Sequence, residues 1–481
     1  MHRIFFRRIS RYVLLAVPLL LAQPGTHALH AAPLPDFGDP TEVYMSSRQE
    51  QKLGIQFMQM IRQTLPLIQD PLLVEYIQSL GNRVASGLMT PHVPFTFFLV
   101  QSSEINAFAG PGGYIGIHSG LFLTTRSEGE LASVIAHEMV HVTQRHLAQA
   151  YKKASELSLP MTAAVITAII LGRENSQLSE AALASAAAGS VQYQLNFTRA
   201  HEQEADRIGL EILANAGFDP RDMPTFFERL QQASLTDQSQ TFEFLRSHPL
   251  TPSRIADTRN RAEQYPRSTT ARNDDTFRLM RARIEVLGNN DQASILNTYA
   301  KRLATSDTAA NRYGYALALN RSGDNRRALE VLLPLEDQFS DHLAYLLALA
   351  EIQHGLGKLQ DAQRTCRHAL ALYPHHPALA LAYAGIMIED DQAEDARLLL
   401  REQLRYSPDS IPVHNRLAQA QQITGHLAES HMTLAERDYI LGDRNNAVRQ
   451  LNTALELAPA DNNPLKMKIR ARLDEISSNK D

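Results

Sequence analysis

The chain has 481 residues, 44% hydrophobic and 21% charged, with a net charge of −5 and one cysteine, Cys366. That length calls for two or three domains, and the composition is globular rather than disordered or multi-span membrane. The mild acidity gives no basic field for nucleic acid, so no nucleic-acid partner is expected, and a lone cysteine excludes an intrachain disulfide framework or a cysteine-based metal cluster. Arg3, Arg7, Arg8 and Arg11 precede an apolar run from Tyr12 to Ala22 and a small-residue stretch from Thr26 to Ala32. This is the order of a secretory signal peptide, and the run is about half of the ~20 residues that span a bilayer. A leader at 1–31 is therefore expected, with the mature start within Leu29 to Pro33 and export to the periplasm.

Residues 33–41 read as an extended, Pro- and Asp-rich stretch. Apolar residues at three- and four-residue spacing predict helices over Glu42–Thr64 and Pro71–Leu88. A β-rich stretch follows, with Phe95–Val100, then Ile105–Ala109 and Tyr114–Ile117 on either side of the Gly110-Pro111-Gly112-Gly113 turn. Ser127 followed by Glu130 fits a capping box, with Leu131, Val134 and Ile135 on the buried face, and predicts a helix to about Tyr151. Residues 157–171 are apolar and uncharged but too short to span a membrane. They read as a buried or lid-like helix, or as a surface making peripheral contact with membrane or substrate. Ala181–Ala188 continues as alanine-rich helix. Further helices are predicted over Thr198–Ala216, closed by Gly217, then Pro220–Ala233 and Thr251–Gln264, with a polar linker at 265–275.

From about residue 308 the chain repeats. Gly323, Gly357, Asp391 and Gly425 lie 34 residues apart, and Ala328, Ala362, Ala396 and Ser430 keep the same period. This is the tetratricopeptide period: glycine closes the turn within a helix pair and alanine lets the second helix approach the first. Gly442 and Ala447 recur 17 residues later and suggest a capping pair. Residues 276–307 read as a further degenerate repeat, and Cys366 as a small buried hydrophobe.

The chemistry lies in His137-Glu138-Met139-Val140-His141. Residues four apart share a helix face, so both imidazoles can reach one ion, with Glu138 beside a metal-bound water. A catalytic zinc takes three protein ligands and keeps one position open. The third can come from His201-Glu202-Gln203-Glu204-Ala205-Asp206, where Glu202 and Glu204 both remain candidates on spacing alone. Asp206, on the same face as Glu202, can hold the far nitrogen of a ligand histidine. His248 precedes Pro249 and is biased to extended geometry, so its loop can project into a cleft. Three roles stay open for it: donor to a developing oxyanion, ligand occluding the open position, or loop packing. His146 and His201 are expected at the surface.

His-Glu-x-x-His followed by Glu-x-x-Ala-Asp resembles the M48 metallopeptidases, a gluzincin-type family, and the leader and repeats resemble its periplasmic, repeat-bearing members. The resemblance implies a mainly α protein: an α+β gluzincin-type metallopeptidase domain at 32–265 with a small β-sheet, a linker or degenerate repeat at 266–307, and an α-solenoid of tetratricopeptide repeats at 308–481. It implies one Zn2+ per chain on His137, His141 and Glu202, with Glu202 preferred to Glu204 and Glu138 as catalytic carboxylate. It also implies a role in quality control and assembly of outer-membrane β-barrel proteins. The partners would be unfolded or misassembled outer-membrane proteins and, through the repeats, the β-barrel assembly machinery. Asn106-Ala107-Phe108 and Gly113-Tyr114-Ile115 would bind substrate as an added strand beside the zinc.

Overall fold

A computed structural model of the protein describes residues 45–89, 93–149, 199–236, 243–267 and 274–478. The expected leader at 1–31, the 33–41 stretch, and the helical readings over 157–171 and 181–188 lie outside the described residues. Among the described residues no helix is long and apolar enough to cross a membrane. The described residues are mainly helical, with one small sheet ahead of the motif-bearing helix and paired helices of the 34-residue repeat toward the C-terminal end.

Helix α1 (Ser47–Thr64) starts in a full capping box between Ser46 and Gln49. Helix α2 (Pro71–Ala85) is capped by Asp70, whose side chain accepts from the Leu73 amide. Strands β1 (Thr96–Val100), β2 (Ala107–Ala109) and β3 (Tyr114–His118) form a sheet ordered β1-β3-β2, with β1 parallel and β2 antiparallel to β3. The short α3 (Ser119–Thr124) leads to α4 (Glu128–Thr143), buried continuously from Gly129 to Val142. A helix enclosed on all sides needs apolar or fully partnered residues around its whole circumference. Ser127 accepts from the Glu130 amide as predicted, but the Glu130 carboxylate accepts from the Arg126 amide at 2.6 Å and pairs with Arg229, so the capping box is only half made.

The helix breaks after Thr143, at Gln144 and Arg145, and helical backbone resumes over 146–149; Tyr151 lies outside the described residues. Arg145 adopts a left-handed conformation, φ 52°, and its guanidinium is held by the Met45 carbonyl and Glu50. Neither glycine nor proline marks that break, so the local sequence does not announce it. Helix α5 (Arg199–Asn215) packs on α4 through Gly209, where a Cβ would lie 3.6 Å from the His137 backbone nitrogen. Helices α6 (Asp222–Thr236), α7 (Glu243–Ser247), α8 (Pro252–Ala262) and α9 (Asp275–Gly288) follow. The stretch at 266–307 contains α9 and a second helix, Gln292–Thr305.

Paired helices then run from Ala309–Arg321 to Asn463–Ser478. Their turns explain the 34-residue period. Gly323, Gly357 and Gly425 have φ of 85°, 70° and 79°, and Asp391 takes the same left-handed region at 58°. Ala328, Ala362, Ala396 and Ser430 are fully buried at the helix contacts, and the Ser430 hydroxyl donates to the Ala418 carbonyl at 3.0 Å. Cys366 is buried as expected.

Among the described residues, polar contacts tie the repeats to the N-terminal portion at two places. Arg283 of α9 donates twice to Asp70 at 2.8 and 2.9 Å and lies 3.4 Å from Glu351 of a repeat helix. At the far end, Arg62 and Gln63 of α1 donate to the carbonyls of Ile440 and Leu441 at 2.9 and 3.1 Å, capping the helix Leu427–Ile440. The repeats thereby return to the first helix described.

Candidate metal centre

Helix α4 carries His137, Glu138 and His141, α5 carries Glu202 and Asp206, and the turn between α7 and α8 carries His248. The structure brings them together, all buried. His137 Nε2 lies 3.1 Å from His141 Nε2, 3.2 Å from His248 Nδ1 and 3.5 Å from Glu202 Oε2. His248 Nδ1 is 3.0 and 3.1 Å from the two Glu202 oxygens, and His141 Nε2 is 3.6 Å from Glu202 Oε1. Donor atoms bound tetrahedrally at about 2.0–2.1 Å are about 3.3–3.4 Å apart, so these spacings suit one zinc-sized cation. The donor set suits it too: imidazole lone pairs aimed at one another repel unless a proton or a cation lies between them.

Orientation comes from behind. His137 Nδ1 meets Asp206 Oδ1 at 3.1 Å, which directs Nε2 into the cluster. Asp206 is gripped by Arg254, through Nε at 2.8 Å and Nη2 at 2.9 Å. The same guanidinium reaches Glu202 Oε2 at 2.8 Å and donates to the Pro249 carbonyl at 2.9 Å, tying both acids to the His248 turn. The sequence reading missed Arg254. Its only local signal is an arginine in the first turn of a Thr251-capped helix, on the face that buries Ile255 and Thr258.

Glu204 does not enter the cluster. Its Oε2 lies 3.2 Å from His146 Nε2. His146, expected at the surface, is fully buried with Nδ1 2.9 Å from His141 Nδ1. His201, also expected there, is half-buried and stacks on His146 with ring centroids 4.2 Å apart. Both corrections follow from the break at Arg145, which turns His146 back under α4 instead of carrying it outward on a longer helix.

The electrostatics divide the carboxylates. Burial pushes the Glu138 carboxyl above its ordinary range, against the pull of His248 and His137. Neither Glu138 oxygen is hydrogen-bonded by a side chain among the described residues; the Ala109 backbone faces the carboxyl and His248 Nε2 stands 3.5 Å from Oε1. Burial also acts to raise Glu202, but His248 and His137 outweigh it and hold that carboxyl well below its usual range. Burial drives the His141 imidazole well down, and His137 reinforces the shift.

The strand residues divide as well. β3 is the central strand, hydrogen-bonded to β1 and β2, so Tyr114 and Ile115, with Gly113 in the preceding turn, offer no free edge. The parallel partner β1 covers the side of β3 that β2 leaves open. β1 itself is blocked, because the Phe97 amide donates to Gln78 and Leu67 bridges Val100. β2 is the open edge. His118 donates to the Asn106 carbonyl and Gly110 to that of Tyr114, so alternation turns the backbone groups of Ala107 and Ala109 away from β3. The Ala109 backbone faces Glu138. Asn106 and Phe108 are buried beside this edge, and Asn106 Oδ1 has no hydrogen-bond partner among the described residues.

Replacing Arg254 with Met leaves two buried carboxylates without their cation. The metal-free protein is expected to lose about 3–5 kcal/mol in denaturant unfolding, with part regained on adding divalent metal. Unchanged stability would refute the role given to this residue.

Residues 71–262 match the pattern of Peptidase family M48, and residues 353–421 match a tetratricopeptide repeat. The beta-barrel assembly-enhancing protease of Escherichia coli K12 is 36% identical over 427 residues, covering 88% of this chain and 86% of its own. That of Yersinia pestis is 35% identical over 428 residues, with 88% and 87% covered. Metalloprotease LoiP of Escherichia coli K12 is 30% identical over 183 residues, 38% of this chain and 66% of its own.

Proposed function

The chain belongs to peptidase family M48 and is a metallopeptidase, and from that premise we propose a zinc-dependent periplasmic endopeptidase acting on unfolded or misassembled outer-membrane β-barrel proteins, with an assembly-assisting role. The names of its relatives support the substrate class, and the sequence order of the N-terminus supports the compartment. The repeats are the surface for the β-barrel assembly machinery.

One observation carries the enzymatic reading. Four buried donor atoms converge, and beside them lies a buried carboxylate, Glu138, that no side chain hydrogen-bonds among the described residues. A closed structural metal site gives no reason to bear the desolvation of that carboxylate, whereas a proton-transfer role does. His137, His141 and Glu202 would hold zinc, which when bound acidifies a water and polarises the scissile carbonyl. Glu138 takes the proton of the attacking water and returns it to the leaving amine nitrogen. The β2 edge binds an extended substrate through the backbone of Ala107 and Ala109, beside Glu138.

His248 lies against both Glu202 oxygens, and with zinc bound it would take the position a substrate or water needs. This favours the occluding role and a conditional protease, whose repeats act as chaperone or adaptor while the site is closed. His248 must swing out before cleavage, after which its Nε2 can serve the oxyanion.

Three variants test this. Glu138→Gln should keep zinc and fold yet lower cleavage of an unstructured fluorogenic peptide by about 1,000-fold or more; cleavage near wild-type rate contradicts the mechanism. His248→Ala should raise basal cleavage severalfold if the residue occludes, and a large loss would assign it to the transition state instead. Ala107→Pro removes an outward donor and should raise KM about threefold to tenfold with kcat little changed; an unaltered KM rejects the edge.

A further inference from the structure

We infer that His146 and Glu204 form a positioning relay that fixes the tautomer and ring orientation of His141. The inference deepens the proposed function, since it rests on His141 binding metal through Nε2.

His141 points Nε2 into the cluster, 3.1 Å from His137 Nε2, and leaves Nδ1 facing away. That far nitrogen lies 2.9 Å from His146 Nδ1. Two imidazole nitrogens at this distance need one proton between them, so one ring donates and the other accepts. Glu204 decides which. Its Oε2 is 3.2 Å from His146 Nε2, and an ionised carboxylate only accepts. The neutral His146 ring therefore carries its proton on Nε2 and presents a lone pair at Nδ1. His141 must then donate from Nδ1, which leaves the Nε2 lone pair aimed at the cluster. One carboxylate thus sets the protonation pattern of two rings.

The ring plane of His146 is fixed separately. His201 stacks on it at 4.2 Å and 13°, and His201 Nε2 meets Gln149 Oε1 at 3.1 Å. The two histidine ligands are therefore supported differently. Behind His137 stands Asp206, buried and clamped by Arg254. Behind His141 stands a second imidazole, and its carboxylate is 39% exposed. Glu204 and Glu202, indistinguishable on spacing, thereby take separate tasks: Glu202 faces the cluster, and Glu204 orients a ligand from two bonds away.

The test is the zinc dissociation constant of the full chain, by competition with a chromophoric chelator, alongside the melting temperature of the metal-free form. His146→Phe keeps the stacking volume but no acceptor, and should weaken zinc about 10- to 100-fold. Glu204→Ala should weaken it about threefold to tenfold, whereas Glu204→Gln, whose amide oxygen still accepts from His146 Nε2, should restore it to within about twofold of wild type. A packing role alone predicts no such rescue. The relay is overturned if His146→Phe and Glu204→Ala bind zinc as tightly as wild type, or if Glu204→Gln falls as far as Glu204→Ala. Should His146→Phe also lower the metal-free melting temperature, the half-exposed Glu204 pair decides. A wild-type chain that binds no zinc would sink the metal centre and the relay with it.

Discussion

Four lone-pair-bearing groups point at one another inside a dry interior, and the surrounding structure is organised by the need to make that tolerable. Imidazole nitrogens at 3.1–3.2 Å and a carboxylate against them are stable only around positive charge. A divalent cation meets that need for all of them at once. The elements nearby supply orientation. Asp206 turns His137, Arg254 holds Asp206 and Glu202 apart and in place, and Pro249 is drawn to the same guanidinium. The total enclosure of α4 removes the water that would otherwise screen these charges.

Enclosure also sets the relation between catalysis and control. The cluster has four members where an active zinc needs three, and the fourth, His248, sits on a turn tied to the core by the Phe244 amide, which donates to the carbonyl of Ile105, just before β2. The segment that carries His248 and the residues leading into β2 are therefore joined by one hydrogen bond. A strand added at β2 would meet that segment. The repeats contact the same portion from two sides, through Arg283 with Asp70 and through Arg62 at the end of a repeat helix.

The sequence made periodic features legible and hid those that depend on tertiary reversal. His137 and His141 share a face because four residues make about one turn, and the 34-residue spacing of Gly323, Gly357, Asp391 and Gly425 reports a left-handed turn repeated in successive helix pairs. Glu202 could be proposed, but its choice over Glu204 rested on family resemblance until the helix phase was known. Arg254 was invisible, since an arginine on a short charged helix looks solvated until its partners appear. His146 was misread because nothing in Thr143-Gln144-Arg145 foretells a break; the conformation of Arg145 is imposed by Met45 and Glu50, nearly a hundred residues earlier. The central position of β3 was hidden for a similar reason. Parallel pairing with β1 is a long-range choice that a hairpin motif does not encode.

The most direct test of the central claim is elemental analysis of the purified chain, prepared without chelators and with its folded state verified by circular dichroism. One zinc per chain, removable by chelation and restored by stoichiometric addition, is the result the account predicts. A folded protein that neither retains nor takes up zinc would contradict it.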